Sequence, residues 1–301
     1  MISVLIPIFN YNVTNLVISL NDQLSEANVA FEIIGVNDAS SKFISENQSL
    51  SKIENFKLIN LEKNIGRSKI RNLLKDKASF DWLLYLDSDV IPANKMFIKT
   101  YLNCINSNKS KLYFGGIINK KNKPKDNEML RWSYGRKRED VNYELRQKKP
   151  YQFFLASNFL VHKSIFNLCL FNEDIVKYGY EDFVFSEELR NNGVKITHID
   201  NCVYHLGIDK SDVFLEKTKE AIENLHTLKH QKILEEDQMR ILKVAKKTND
   251  YNLTWFFSGV FKLFNSLFEI NLMSKRPSLV IFDLYKLSYF CFLKKTKFNL
   301  N

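Results

Sequence analysis

The sequence predicts an α/β fold: a doubly wound, mixed but mainly parallel sheet flanked by helices, followed by a helical C-terminal extension. Three observations lead there. Short apolar runs of strand length alternate with segments of helical periodicity, each run closes on a polar loop, and beyond residue 209 only helical patterns remain. The boundaries that follow are 1–209 for the α/β domain and 210–301 for the extension. At 301 residues and 45% hydrophobic content the chain has ample apolar material for a full core.

Residues 2–9 form the first buried strand pattern and end in the turn Pro7-Ile8-Phe9-Asn10. Val13, Leu16, Val17, Leu20 and Leu24 then recur at helical spacing. A second strand, residues 31–36, runs into Asn37-Asp38-Ala39-Ser40-Ser41, and a short one follows at 56–60. Asn64-Ile65-Gly66-Arg67 leads into a helix with Ile70, Leu73 and Leu74 on one face. The next strand carries Trp82 to Leu86 and stops at Asp87-Ser88-Asp89. A helix around 96–105 and a strand at 112–118 precede residues 119–150, which are polar, basic and without aliphatic periodicity. They read as a long loop, either a solvated insertion or an acceptor-binding flap. Residues 153–161 return to the sheet. Tyr178-Gly179-Tyr180-Glu181-Asp182 opens a helix that ends at Asn191-Asn192-Gly193, and short strands close the block at His205-Leu206-Gly207.

A formal charge of +10 asks for an anionic partner. No zinc finger, helix-turn-helix or RNP-like aromatic motif accompanies it, so the expectation is no nucleic acid but a phosphorylated substrate or an anionic membrane face. Met1 to Pro7 has no basic leader and reads as lacking a signal peptide, and the four cysteines show no paired spacing; both point to the cytoplasm.

The chemistry concentrates at Asp87 and Asp89. Side chains two apart on an extended segment share a face, so both carboxylates project from the carboxyl end of a buried strand, where open α/β sheets put their ligands. Two such acids repel each other unless a divalent cation sits beside them; the plainer alternative is an acidic turn capping the strand.

The order of these motifs resembles the family 2 glycosyltransferases, nucleotide-sugar-dependent enzymes of the GT-A fold, over residues 2–207. Ser3 to Asn10 is similar to the family's opening strand and Pro-x-x-Asn turn, and Val36-Asn37-Asp38-Ala39-Ser40 to its Val-Asp-Asp-Gly-Ser loop, with Asn37 and Ala39 as departures. Asn64-Ile65-Gly66 with Arg71-Asn72 resembles the segment closing in Arg-Asn, and Asp87-Ser88-Asp89 the Asp-x-Asp signature. The resemblance implies a UDP-sugar donor held by Pro7, Asn10, Asp38, Arg71, Asp87 and Ser88. Within that set it puts Asp38 on the uracil, Asp87 on the ribose and Arg71 near the base or diphosphate. Gly179-Tyr180-Glu181-Asp182 resembles the Gly-x-Glu-Asp block of galactosyl- and N-acetylgalactosaminyl-transferases, which implies a galactose-type or N-acetylhexosamine donor. Tyr178 stands where that block often has tryptophan. On this resemblance Asp182 is the general base of an inverting transfer, Glu181 holds acceptor or sugar hydroxyls, and Asp89 and His205 are the metal ligands. An imidazole in the set favours Mn2+ over Mg2+.

In the extension, Phe256, Phe257, Val260, Phe261, Phe264 and Phe268 form a stripe at helical spacing with basic neighbours. That pattern fits a monotopic anchor on the inner membrane surface, with the enzyme peripheral on its cytoplasmic face, and it equally fits core packing or dimerisation. An anchor would make the acceptor a lipid-linked glycan, in surface polysaccharide synthesis. Two rival functions remain at this stage: a sugar-phosphate nucleotidyltransferase, whose first strand should lead into a glycine-rich loop that residues 7–12 lack, and a catalytically silent membrane-bound scaffold or glycan-binding protein.

Overall fold

The computed structural model describes residues 1–298. The chain divides into two compact units, one of residues 1–120, 139–176 and 181–207, the other of residues 121–138, 177–180 and 208 onward. Two short segments, 121–138 and 177–180, group with the C-terminal helices.

The first unit contains β1 (Ile2–Ile8), α1 (Thr14–Glu26), β2 (Phe31–Asn37), α2 (Ile44–Ser49), β3 (Phe56–Asn60), α3 (Arg67–Lys77), β4 (Trp82–Leu86), β5 (Val90–Pro92), α4 (Phe97–Ser107), β6 (Leu112–Phe114) and β7 (Ile117–Asn119). With α5 (Met129–Tyr134) assigned to the second unit, it continues through α6 (Tyr143–Lys148), β8 (Asn158–His162), α7 (Glu181–Asn191), β9 (Thr197–His198) and β10 (Val203–His205). Seven strands form a sheet in the order β3-β2-β1-β4-β8-β6-β9, and β5, β10 and β7 form a second, smaller one. β3, β2, β1 and β4 run parallel, β8 lies antiparallel to both β4 and β6, and β6 is parallel to β9. The sheet is therefore mixed and doubly wound.

Side-chain alternation explains the double winding. On β1, Ile2, Val4, Ile6 and Ile8 enter one core cluster with Leu16, Val17, Leu20 and Leu24 of α1 and Phe97, Ile98 and Tyr101 of α4, whereas Leu5 enters another. β4 divides likewise, Leu84 and Leu86 to the first cluster and Leu83 and Tyr85 to the second, which α3 (Ile70, Leu74) and α7 (Phe185, Leu189) complete. A strand buried on both faces reads as an unbroken apolar run for this reason. α7 stops as its sequence indicates: Gly193 takes φ +67°, its amide donates to the Arg190 carbonyl, and the Val194 amide donates to that of Leu189.

Residues 119–150 are not the long loop their composition suggests. They hold α5, a π-helical turn (Gly135–Glu139) and α6, the last capped by Asn142 Oδ1 accepting from the Leu145 amide at 2.9 Å. Six-residue helices are too short to show periodicity. Arg146, counted by composition among the basic surface, is buried at 3% exposure; it donates to the carbonyls of Gly115, Val141 and Ile199 and lies over the Phe114 ring.

The second unit adds α8 (Ser211–His230), α9 (Arg240–Asp250), α10 (Thr254–Leu272) and α11 (Leu279–Phe298). α10 and α11 pack along each other, with Phe261 against Tyr285, Tyr289 and Phe292, and Tyr134 of α5 joins Phe214 and Phe282 in the same core. That aromatic contact groups residues 121–138 with the later helices.

Candidate active site

The carboxyl ends of β1, β2 and β4 and the amino ends of α3 and α7 meet in the first unit, and the residues singled out from the sequence lie on them. Asn10 takes φ +52° just past β1, and its Oδ1 accepts from the amides of Ser41 (2.8 Å) and Lys42 (3.1 Å) while its own amide donates to Ser40 Oγ (2.8 Å). Asn10 therefore fastens the β1 turn to the loop after β2. Asp38, 4% exposed, accepts from the amides of Ile65 (2.7 Å) and Gly66 (3.1 Å), so its carboxylate organises the start of α3. Pro7 is the partly exposed penultimate residue of β1, and Ser88 is partly exposed between the two acids.

Arg71 is the pivot of the acidic cluster. Its guanidinium is 2% exposed, sits 5.3 Å from the Phe171 ring centroid, and donates through Nη2 to Asp87 Oδ1 at 2.9 Å. Nη1 lies 3.5 Å from Asp182 Oδ1 and 3.8 Å from Glu181 Oε1. In this arrangement the guanidinium faces the three carboxylates of Asp87, Glu181 and Asp182. Glu181, 6% exposed, also pairs with Arg67 at 3.5 Å. Asp182 Oδ2 accepts from the Ala156 amide at 3.0 Å, whereas Oδ1 is buried with no hydrogen bond among the described residues.

Burial and crowding set the proton affinities. Burial pushes the Asp182 carboxyl up to about 6; Arg71 opposes this, Glu181 and Asp87 add to it, and the Ala156 amide opposes it. The carboxyl of Asp87 also rises, chiefly by burial and further by Asp89, against the pull of Arg71. Burial disfavours the charge of Arg71 itself, and Asp87, Asp182 and Glu181 more than compensate.

On the far side of the Asp-x-Asp turn, Asp89 Oδ2 is 3.1 Å from His205 Nε2. The smaller sheet makes this pair, since β5 follows Asp89 directly and pairs antiparallel with β10, setting His205 opposite Val90. The Leu206 amide donates to the Asp89 carbonyl at 2.8 Å, and a Cβ at Gly207 would overlap the Asp89 carboxylate. Residues 116 positions apart are brought together, as an Asp-x-Asp and a distant imidazole must be if they share a cation.

A family model described as glycosyl transferase family 2 matches residues 3–169. The chain is a family 2 glycosyltransferase. Solved structures with similar folds include the mannosyltransferase PcManGT from Pyrobaculum calidifontis in complex with GDP-Man and Mn2+, at 9% identity and TM-score 0.57, covering 98% of this chain and 86% of that one. S. aureus TarS 1-349 in complex with UDP matches at 18% identity and TM-score 0.52, covering 98% and 91%. GalNAc-T7 with UDP, GalNAc and Mn2+ matches at 20% identity and TM-score 0.52, covering 69% and 43%. At these identities the likeness is one of fold, and the glycosyltransferase spans 44% of the length of a longer S. aureus TarS structure that it also resembles. No curated protein matches the chain.

Several neighbours of these residues were not singled out from sequence. Arg67 stands beside Arg71 one helical turn earlier, a spacing that could have paired them. Tyr11, whose phenol is pushed up by burial and then by Asp89, lies on the loop after β1, and nothing local marks it. The Ala156 amide carries no side-chain signal at all. Among the described residues no group of three or more His, Cys, Asp or Glu could hold a metal alone, so Asp89 and His205 are a two-point set. They fit a cation nonetheless: two donors in adjacent positions about 2.2 Å from an octahedral ion lie about 3.1 Å apart.

Proposed function

We propose that this glycosyltransferase catalyses an inverting, metal-dependent transfer from a UDP-sugar to a hydroxyl of a glycan or lipid-linked glycan, with a galactose-type or N-acetylhexosamine donor. The observation that carries this reading is the convergence, at one end of the sheet, of a cation-sized Asp89–His205 pair with a buried base candidate, Asp182, linked through Arg71 to Asp87. Asp87, Asp89, Glu181 and Asp182 bring four carboxylates against Arg67 and Arg71, an excess of negative charge that a divalent cation offsets. The UDP bound to TarS and the UDP, GalNAc and Mn2+ bound to GalNAc-T7 agree with a uridine donor and a cation.

In this reading Asp89 Oδ2 and His205 Nε2 hold the cation, Mn2+ in preference to Mg2+ because one donor is an imidazole. When bound, the ion supplies positive charge to the leaving diphosphate. In the same reading Asp87 and Ser88 face the donor, Pro7, Asn10 and Asp38 shape the loops beside it, and Glu181 orders acceptor or sugar hydroxyls. Asp182 accepts the acceptor proton as the new C–O bond forms at the anomeric carbon, while the bond to the diphosphate oxygen breaks and its electron pair leaves with UDP. A base near pH 6 is ionised at neutral pH yet retains proton affinity.

The reading extends to the inner membrane surface and to surface polysaccharide synthesis, on the strength of α10. No helix among the described residues is long and apolar enough to cross a membrane. α10 nevertheless exposes Trp255 (65%), Leu263 (78%), Leu267 (60%) and Ile270 (65%) on the side away from Phe261 and Leu272, with exposed Lys275 and Arg276 just beyond its end. An apolar face with basic neighbours suits a helix lying in an anionic interface.

The test is release of UDP from a panel of UDP-sugars with Mn2+ or Mg2+. Turnover with a galactose-type or N-acetylhexosamine donor is expected, and Asp182→Asn should lower it about 10²–10⁴-fold while UDP still binds. Absence of nucleotide binding with every donor would overturn the proposal in favour of a silent scaffold.

A further inference from the structure

We propose that Arg71 is a positioning residue for transfer. Buried beneath the site, it ties the carboxylate that takes the acceptor proton to the carboxylate on the donor side, and keeps the former ionised and aimed. The inference rests on Asp182 being the base.

Three sets of contacts fix the arginine before any substrate arrives. Its backbone carbonyl accepts from the Tyr85 hydroxyl of β4 at 2.9 Å. The next residue, Asn72, clamps α3 to the segment before α7, donating to the Phe171 carbonyl at 2.9 Å and accepting from the Phe171 amide at 3.1 Å. The guanidinium then lies over Phe171, which stacks on Phe185 of α7 at 4.0 Å. An arginine held this way loses little freedom when it orients its partners.

The partners divide its two arms. Nη2 bonds Asp87 at 2.9 Å, and Nη1 stands 3.5 Å from Asp182 Oδ1. Because Asp182 Oδ2 is fixed by the Ala156 amide, the carboxylate is pinned at one oxygen by a neutral donor and faced at the other by a charge. The groups facing Asp182 are Arg71 from α3, its neighbour Glu181 on α7, Asp87 at the end of β4 and the Ala156 amide before β8. Of these only Arg71 is cationic. Two negative neighbours and burial all favour a protonated Asp182, and a protonated carboxyl cannot receive the acceptor's proton. The arginine is what leaves the base in working form, and Nη1 and Nε, buried without hydrogen-bond partners, show that its charge, more than its bonding, serves Asp182.

The experiment is the pH profile of kcat/KM for the full chain, from about pH 5 to about pH 9, for wild type, Arg71→Gln, Arg71→Lys and Asp182→Asn, with folding checked by circular dichroism. Wild type should show an acid limb near pH 6. In Arg71→Gln the limb should move upward by about one pH unit or more, so that activity partly returns in alkali, and Arg71→Lys should move it less because the ammonium stays nearby. A fold-loss variant would leave Arg71→Lys to decide. Activity lowered equally at every pH, with the limb unmoved in a folded variant, overturns the proposal. Wild-type transfer by Asp182→Asn instead overturns the base assignment, a separate result.

Discussion

Ala39 shows how much one residue of a motif carries. It stands where the family loop has glycine, and its φ of +55° is the left-handed conformation that glycine adopts without steric cost. Here that conformation is taken by a residue whose Cβ makes it costly. Ala39→Gly should therefore stabilise the protein by about 0.5–1 kcal/mol, the relief of the Cβ clash outweighing glycine's extra entropy in the unfolded chain. An unchanged or lower midpoint in chemical denaturation would contradict this. At the same scale the sequence named Asp87, Asp89, Asp182 and His205 by pattern, and the structure brings them to one end of the sheet. Pattern did not reveal the protein partners of Asn10, Asp38 and Arg71, because bond partners 16–31 residues away leave no local trace.

The elements that were legible are those whose apolar residues follow one pattern, a helical stripe or an unbroken strand run. α1, α3 and the strands β1, β2 and β4 follow from apolar spacing because each feeds a single core cluster on each side of the sheet. α2, α5, α6 and β5 were not legible, being three to six residues long, and β5 matters most, since its pairing with β10 places His205. α10 is the opposite case: apolar on two faces, it satisfies the helical pattern twice, once with Phe261 and Leu272 packed inward and once with Leu263, Leu267 and Ile270 outward. If the outward face meets a bilayer, Leu263→Ser with Leu267→Ser should weaken co-sedimentation with phosphatidylglycerol vesicles about tenfold or more, each exposed leucine contributing up to about 1.5–3 kcal/mol when buried. The same substitutions should leave UDP binding intact. Unaltered vesicle partitioning would assign that face to packing against protein.

At the scale of the whole molecule, the mixed sheet and its two helical layers were readable from the alternation of elements, whereas the interleaving of two units was not. Composition marks residues 121–138 as polar and basic, yet Leu130 and Tyr134 within them join the aromatic core of the C-terminal helices. A few apolar residues in a charged stretch decide the grouping, and average composition hides them. The sheet's connectivity has the clearer functional consequence. Because β10 is the last strand of the first unit and pairs beside the Asp-x-Asp turn, the fold joins an imidazole from the end of that unit to a carboxylate from its middle.

Electron spin-echo measurements on Mn2+ with UDP test that juncture most directly. A single imidazole nitrogen should couple to the ion in the wild-type protein, and the coupling should vanish in His205→Ala, with weakened Mn2+ binding. An identical nitrogen signal in the variant, or Mn2+ bound with no nitrogen in its shell in the wild type, would contradict the site described.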